Sequence, residues 1–115
     1  MTEPGTYRHA RRSTRVPLKI AIEVVSGEQH RTCEGQTVVV NLHGALIATS
    51  MALVVGMKIV IHVLLTDKRA SARVVYIAPA DPLHCGVELD QPKNIWGVPL
   101  PPDDWDEMAD LHASH

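Results

Sequence analysis

The chain has 115 residues, of which 45% are apolar and 3% aromatic, with no phenylalanine, and its formal net charge is -2. That length holds one domain with one modest core, and that apolar content excludes a disordered chain. With so few rings, the core must be built from Val, Ile, Leu, Ala and Met, a composition that favours strands.

The charge is unevenly placed. Met1 to Lys19 carries five basic residues, Arg8, Arg11, Arg12, Arg15 and Lys19, against the single acid Glu3. Asn94 to His115 carries five acids, Asp103, Asp104, Asp106, Glu107 and Asp110, and no Lys or Arg. A basic head and an acidic tail on a near-neutral body point to a local anion site rather than a general nucleic-acid surface. The simpler alternative is that the two ends attract each other. Cys33 and Cys85 form no CxxC pair and read as buried free thiols of a reducing compartment. No apolar leader opens the chain and no apolar run is long enough to span a bilayer, so a cytoplasmic protein without membrane insertion is expected.

Residues 1–16 are polar and basic and read as an extended arm. Pro17 marks its end, because proline biases Val16 away from helix. Leu18, Ile20, Ile22 and Val24 then alternate with Lys19 and Glu23, the pattern of a half-buried strand. A turn follows at Ser26 to Gln29. Arg31 to Val40 reads as a second strand, bulged near Gly35. Asn41-Leu42-His43-Gly44 is a tight corner, and Ala45 to Ser50 a third strand. Met57 to Leu65 is a fourth, almost wholly apolar. Thr66-Asp67-Lys68 is a hairpin turn. Arg69 to Ala78 is a fifth strand, with Ala70, Ala72, Val74 and Tyr76 on one face. Leu83 to Leu89 is the sixth, with Leu83, Cys85, Val87 and Leu89 on one face. Gln91 to Pro102 holds four prolines and is irregular. Asp104 to Glu107 can cap a short C-terminal helix whose apolar face is Trp105, Met108 and Leu111. Six short strands between turn signals predict an all-β antiparallel barrel or sandwich. The expected division is a basic N-terminal arm over 1–16, a barrel over 17–90, and a Pro-rich tail with a short acidic helix over 91–115. Trp96 and Trp105 read as packing that covers the barrel.

Two motifs carry chemistry. Arg11 and Arg15, four residues apart in an extended arm, can reach one ligand together. Each guanidinium can grip a phosphate through paired hydrogen bonds or lie flat on a purine. Arg12 is a further phosphate contact or a side chain that points away. At the corner, Asn41 offers a donor and an acceptor to a guanine edge, and Gly44 permits a sharp turn. The alternative for the corner is a plain tight turn in which Asn and Gly do turn work. His30, His43, His62 and His84 show no ligand spacing, so no metal site is expected. No nucleophile–base pair, glycine-rich phosphate loop or paired catalytic carboxylates occur, so no enzyme is expected.

In this order, an RxxxR arm, a strand pair, an Asn-x-His-Gly corner and an apolar strand, the chain resembles the PilZ family of bacterial cyclic di-GMP receptor domains, from about Arg8 to Leu89. Arg11 and Arg15 match the family's first motif. In its second, [D/N]xSxxG, Asn41 fits the first position, His43 stands where Ser is expected, Gly44 comes early, and Leu46 sits where the glycine belongs. Cys85-Gly86-Val87-Glu88-Leu89 resembles the family's last barrel strand. The resemblance implies a six-stranded antiparallel barrel and a ligand-binding set of Arg11, Arg12, Arg15, Asn41, His43 and Gly44. Its implied ligand is cyclic di-GMP, with no cofactor, and its implied output is ligand-dependent contact with a protein partner. The partial second motif implies the alternative, a PilZ-like barrel that binds no nucleotide and serves as a protein-interaction module. A nucleic-acid-binding barrel fits less well, since the net charge has the wrong sign and exposed aromatics for base stacking are lacking.

Overall fold

The computed structural model of the protein describes residues 14–26 and 31–105. Seven strands form one antiparallel sheet: β1 (Val16–Pro17), β2 (Ala21–Ser26), β3 (Thr32–Val40), β4 (Gly44–Thr49), β5 (Lys58–Val63), β6 (Lys68–Ile77) and β7 (His84–Leu89). The neighbour order β3-β2-β5-β6-β7-β4 is closed by pairing of β4 back onto β3, which makes a six-stranded barrel. Strand β1 lies outside it on β3, with Val16 opposite Val40. Closure removes the exposed edges that a flat six-stranded sheet would carry.

The inward faces supply the core: Ile22, Val24, Cys33, Val40, Ile47, Ile59, Ile61, Val63, Val74, Cys85, Val87 and Leu89 are buried, whereas Leu83, expected to share the face of Cys85, precedes β7 and is 39% exposed. Leu18 and Ile20 pack against that core from its rim. Between β1 and β2 the strand expected over Leu18 to Val24 is broken. Three residues, Leu18 to Ile20, face two on β3, and the buried Thr37 stitches the gap: its Oγ1 accepts from Ile20 N at 3.0 Å and donates to the Leu18 carbonyl.

Two bulges set which side chains face out. The second strand bulges at Val38, between Thr37 and Val39, rather than near Gly35. Gly35 instead pairs in register on both sides, and a Cβ there would come within 2.6 Å of the Ala48 carbonyl oxygen. In β6 the extra residue is Val75. One inserted residue reverses the in–out alternation beyond it. Tyr76 therefore leaves the face it would share with Ala72 and Val74 and stands 49% exposed.

The β5–β6 connection turns at Leu64 to Asp67, leaving Leu64 and Leu65 exposed beyond the apolar run of β5. Asp67 takes a left-handed conformation, φ 56°, and its carboxylate meets His62 Nε2 at 2.7 Å. That hydrogen bond, with nearby Arg69, holds the Asp67 carboxyl below the usual carboxylate range.

The Pro-rich tail folds back over one end of the barrel. Ile95, Trp96 and Trp105 are buried, and the Trp96 indole N–H donates to the Asn41 carbonyl at 2.9 Å. Both indoles thus cover the barrel, as expected of rings with one polar handle. Of the expected C-terminal helix, the described part is a 3-10 turn over Asp103–Trp105; the remainder, including Met108 and Leu111, lies outside the described residues. No described helix is long and apolar enough to cross a membrane.

Candidate functional site

Four strands contribute one outward-facing residue each to a continuous row. Val39 on β3 pairs with Leu46 on β4, Leu46 with Gly86 on β7, and Gly86 with Tyr76 on β6. The bulges at Val38 and Val75 put the two ends of the row outside the barrel. Gly86 carries no side chain, and the Tyr76 ring occupies the space beside it, its Cβ 3.3 Å from where a Gly86 Cβ would be. The result is a shallow apolar floor that ends in an aromatic ring.

A groove of about 670 Å³ opens over this floor. Its rim brings together Arg15 from the arm, Asn41, His43 and Gly44 from the corner, and Glu88 from β7. Four of the six residues expected at a ligand site thus line one depression. Arg11 and Arg12 lie outside the described residues. Arg15 is exposed and makes no ion pair among the described residues.

The corner is built by its own side chain. Asn41 Oδ1 accepts from the backbone N–H groups of His43 and Gly44, both at 2.8 Å, and Asn41 N donates to the Gly44 carbonyl at 2.8 Å. This is the turn work that asparagine does well. The expectation that the whole carboxamide is offered to a guanine edge is thereby narrowed, since only Nδ2 is left over from the turn. Gly44 is required for packing: a Cβ there would overlap the Val87 carbonyl oxygen. The His43 backbone is pinned at both ends, by Asn41 Oδ1 and by Leu89 N, which donates to its carbonyl at 2.7 Å. Its ring makes no hydrogen bond among the described residues. It stands where this groove meets a second one of about 480 Å³, lined also by Arg73, Glu88, Asp90 and Pro92.

Sequence reading missed Val39, Leu46, Tyr76, Gly86 and Glu88. The outward period-2 positions of the third and sixth strands would have suggested Leu46, Gly86 and Glu88. Val39 and Tyr76 depend on bulges that no local signal marks. Among the described residues no cluster of three or more His, Cys, Asp or Glu could hold a metal ion.

A closed antiparallel barrel thus brings Arg15 and the Asn41-to-Gly44 corner to one surface groove. The family model of the PilZ domain matches residues 9–95, which include the arm motif, the corner and all six barrel strands. The chain belongs to the PilZ domain family, a family of cyclic di-GMP receptor domains. No curated protein matches the chain.

Proposed function

We propose that the protein is a cytoplasmic cyclic di-GMP receptor that signals through ligand-dependent contact with a protein partner and performs no chemistry itself. The observation that carries this reading is that Arg15 and the Asn41-to-Gly44 corner, 26 positions apart in the sequence at their nearest, line the same groove. Its volume of about 670 Å³ lies in the usual range for small-molecule sites, roughly 300–1,000 Å³. The apolar floor suits the face of a purine, and the guanidinium of Arg15, without an ion pair among the described residues, suits a phosphodiester or a stacked base. Arg11, and Arg12 beside it, supply further contacts from the same arm.

Calorimetric titration with cyclic di-GMP at moderate salt tests the reading. Saturable heat in the wild type, lost in the variant carrying Arg11→Ala and Arg15→Ala, is the expected result. Absence of heat at tens of micromolar protein overturns it.

Two observations favour a second reading, an adaptor that binds no nucleotide. Asn41 Oδ1 is fully engaged by the turn, and an imidazole stands at the family's serine position. Capture of the same partner protein with and without cyclic di-GMP, by a chain that gives no heat with the nucleotide, supports that alternative.

A further inference from the structure

We infer that Asp104 and Trp105 are positioning residues that clasp Thr14 and so hold Arg15 over the groove. Thr14 immediately precedes Arg15 and is joined to the acidic tail through every polar group it has. Its backbone N–H donates to Asp104 Oδ1 at 3.0 Å, its hydroxyl donates to Asp104 Oδ2 at 2.8 Å, and its carbonyl accepts from the Trp105 indole N–H at 2.7 Å. Two neighbouring side chains thus capture a single residue 90 and 91 positions away in sequence.

The two halves of the clasp do different work. Trp105 is the anchor: it is 3% exposed, packs within the barrel's apolar cluster, and is fixed locally by its backbone N–H, which donates to the Pro102 carbonyl at 2.9 Å. A buried indole cannot swing away without opening the core. Asp104, exposed beside it, supplies both carboxylate oxygens to the arm. On the other side of Arg15, Val16 pairs with Val40. Arg15 is therefore held by its backbone from both flanks, and its side chain makes no ion pair among the described residues.

Simple attraction between a basic head and an acidic tail would put a carboxylate on a guanidinium. Asp104 instead bonds the threonine and leaves the Arg15 guanidinium without an ion pair among the described residues. That division preserves the cation for a ligand and removes in advance part of the ordering cost that a loose arm would incur on binding. The affinity consequence rests on the cyclic di-GMP reading; the clasp itself does not.

The test uses the full chain with Asp104→Ala, Thr14→Val and Trp105→Phe, the last keeping a buried ring while losing the N–H donor. Asp103→Ala, a neighbouring exposed acid, is the control. Limited trypsin digestion reads the clasp through the fragment that begins at Val16. Its rate of appearance should rise about fivefold or more in Asp104→Ala and less in Thr14→Val, with Asp103→Ala unchanged, since cleavage tracks the population of the opened arm. Equal rates in wild type and Asp104→Ala overturn the proposal, as does an equal rise in Asp103→Ala. Calorimetry with cyclic di-GMP reads the consequence: affinity should fall by about three- to tenfold in Asp104→Ala and Trp105→Phe, the scale of one lost hydrogen-bonded restraint. Unchanged or tighter binding overturns the positioning role. A wild type that binds no cyclic di-GMP overturns the receptor reading alone, and proteolysis then decides the clasp.

Discussion

Gly44 lies so close to Val87 that a Cβ at residue 44 would overlap the Val87 carbonyl oxygen. Gly44 opens β4 against β7, and its neighbour there is backbone, which cannot swing aside. Gly44→Ala should therefore cost about 3 kcal/mol or more, at the upper end for forced overpacking. Urea denaturation with an unchanged slope checks this. Gly86→Ala is the contrasting case, because its nearest neighbour is the Tyr76 side chain at 3.3 Å. It should cost roughly 1 kcal/mol, since the Tyr76 Cβ at 3.3 Å need give by only a few tenths of an ångström, and it should narrow the groove.

Asn41 separates turn-building from ligand contact. Asn41→Asp keeps the Oδ1 acceptor for His43 N and Gly44 N, whereas Asn41→Ala removes it. Alanine should destabilise the barrel by about 1–3 kcal/mol, the penalty for stranding two hydrogen-bonded backbone donors. Aspartate should stay within roughly 0.5 kcal/mol of wild type, yet weaken cyclic di-GMP binding by placing a negative charge on the groove rim. Thermal unfolding and calorimetry on both variants separate the two effects.

Arg15 is exposed at the groove and free of ion pairs among the described residues, so its replacement should leave stability untouched. Arg15→Lys keeps the charge and loses the planar fork. Affinity for cyclic di-GMP should drop by about tenfold, equivalent to roughly 1.4 kcal/mol, while its dependence on salt persists. Arg15→Ala should lose both affinity and part of the salt dependence. Titrations at two ionic strengths distinguish the pair; equal affinity in Arg15→Lys and wild type would place the recognition elsewhere.

Burial in the barrel pushes the Cys85 thiol up from 9.0 to about 11, and the nearby Cys33 adds to the effect. The native state therefore favours the neutral thiol, while the unfolded chain ionises first as pH rises. The stability this thiol contributes is complete below pH 9.0, shrinks as pH climbs from there, and is gone above about 11. The melting temperature of wild type relative to Cys85→Val should accordingly hold steady up to about pH 9 and fall beyond it. Cys85 should also resist alkylation in the native protein and react once it is unfolded.

Most of the strands were legible in the chain, though the first is broken at Leu18 to Ile20. Alternation of apolar residues in Ile22 and Val24, and in Cys85, Val87 and Leu89, is a local pattern, and burial follows from it directly. The turn at Asn41 to Gly44 was legible for the same reason, since it depends on residues a few positions apart. The groove depends on how distant strands pair. Val39 and Tyr76 face outward because one residue is inserted at Val38 and one at Val75, and an inserted valine looks like any other in a valine-rich strand. The acidic tail carried its charge in plain sight, but charge alone suggested attraction to arginine. Which residue it holds was fixed by where the buried Trp105 anchors the chain, and that put the Asp104 carboxylate on Thr14 rather than on Arg15.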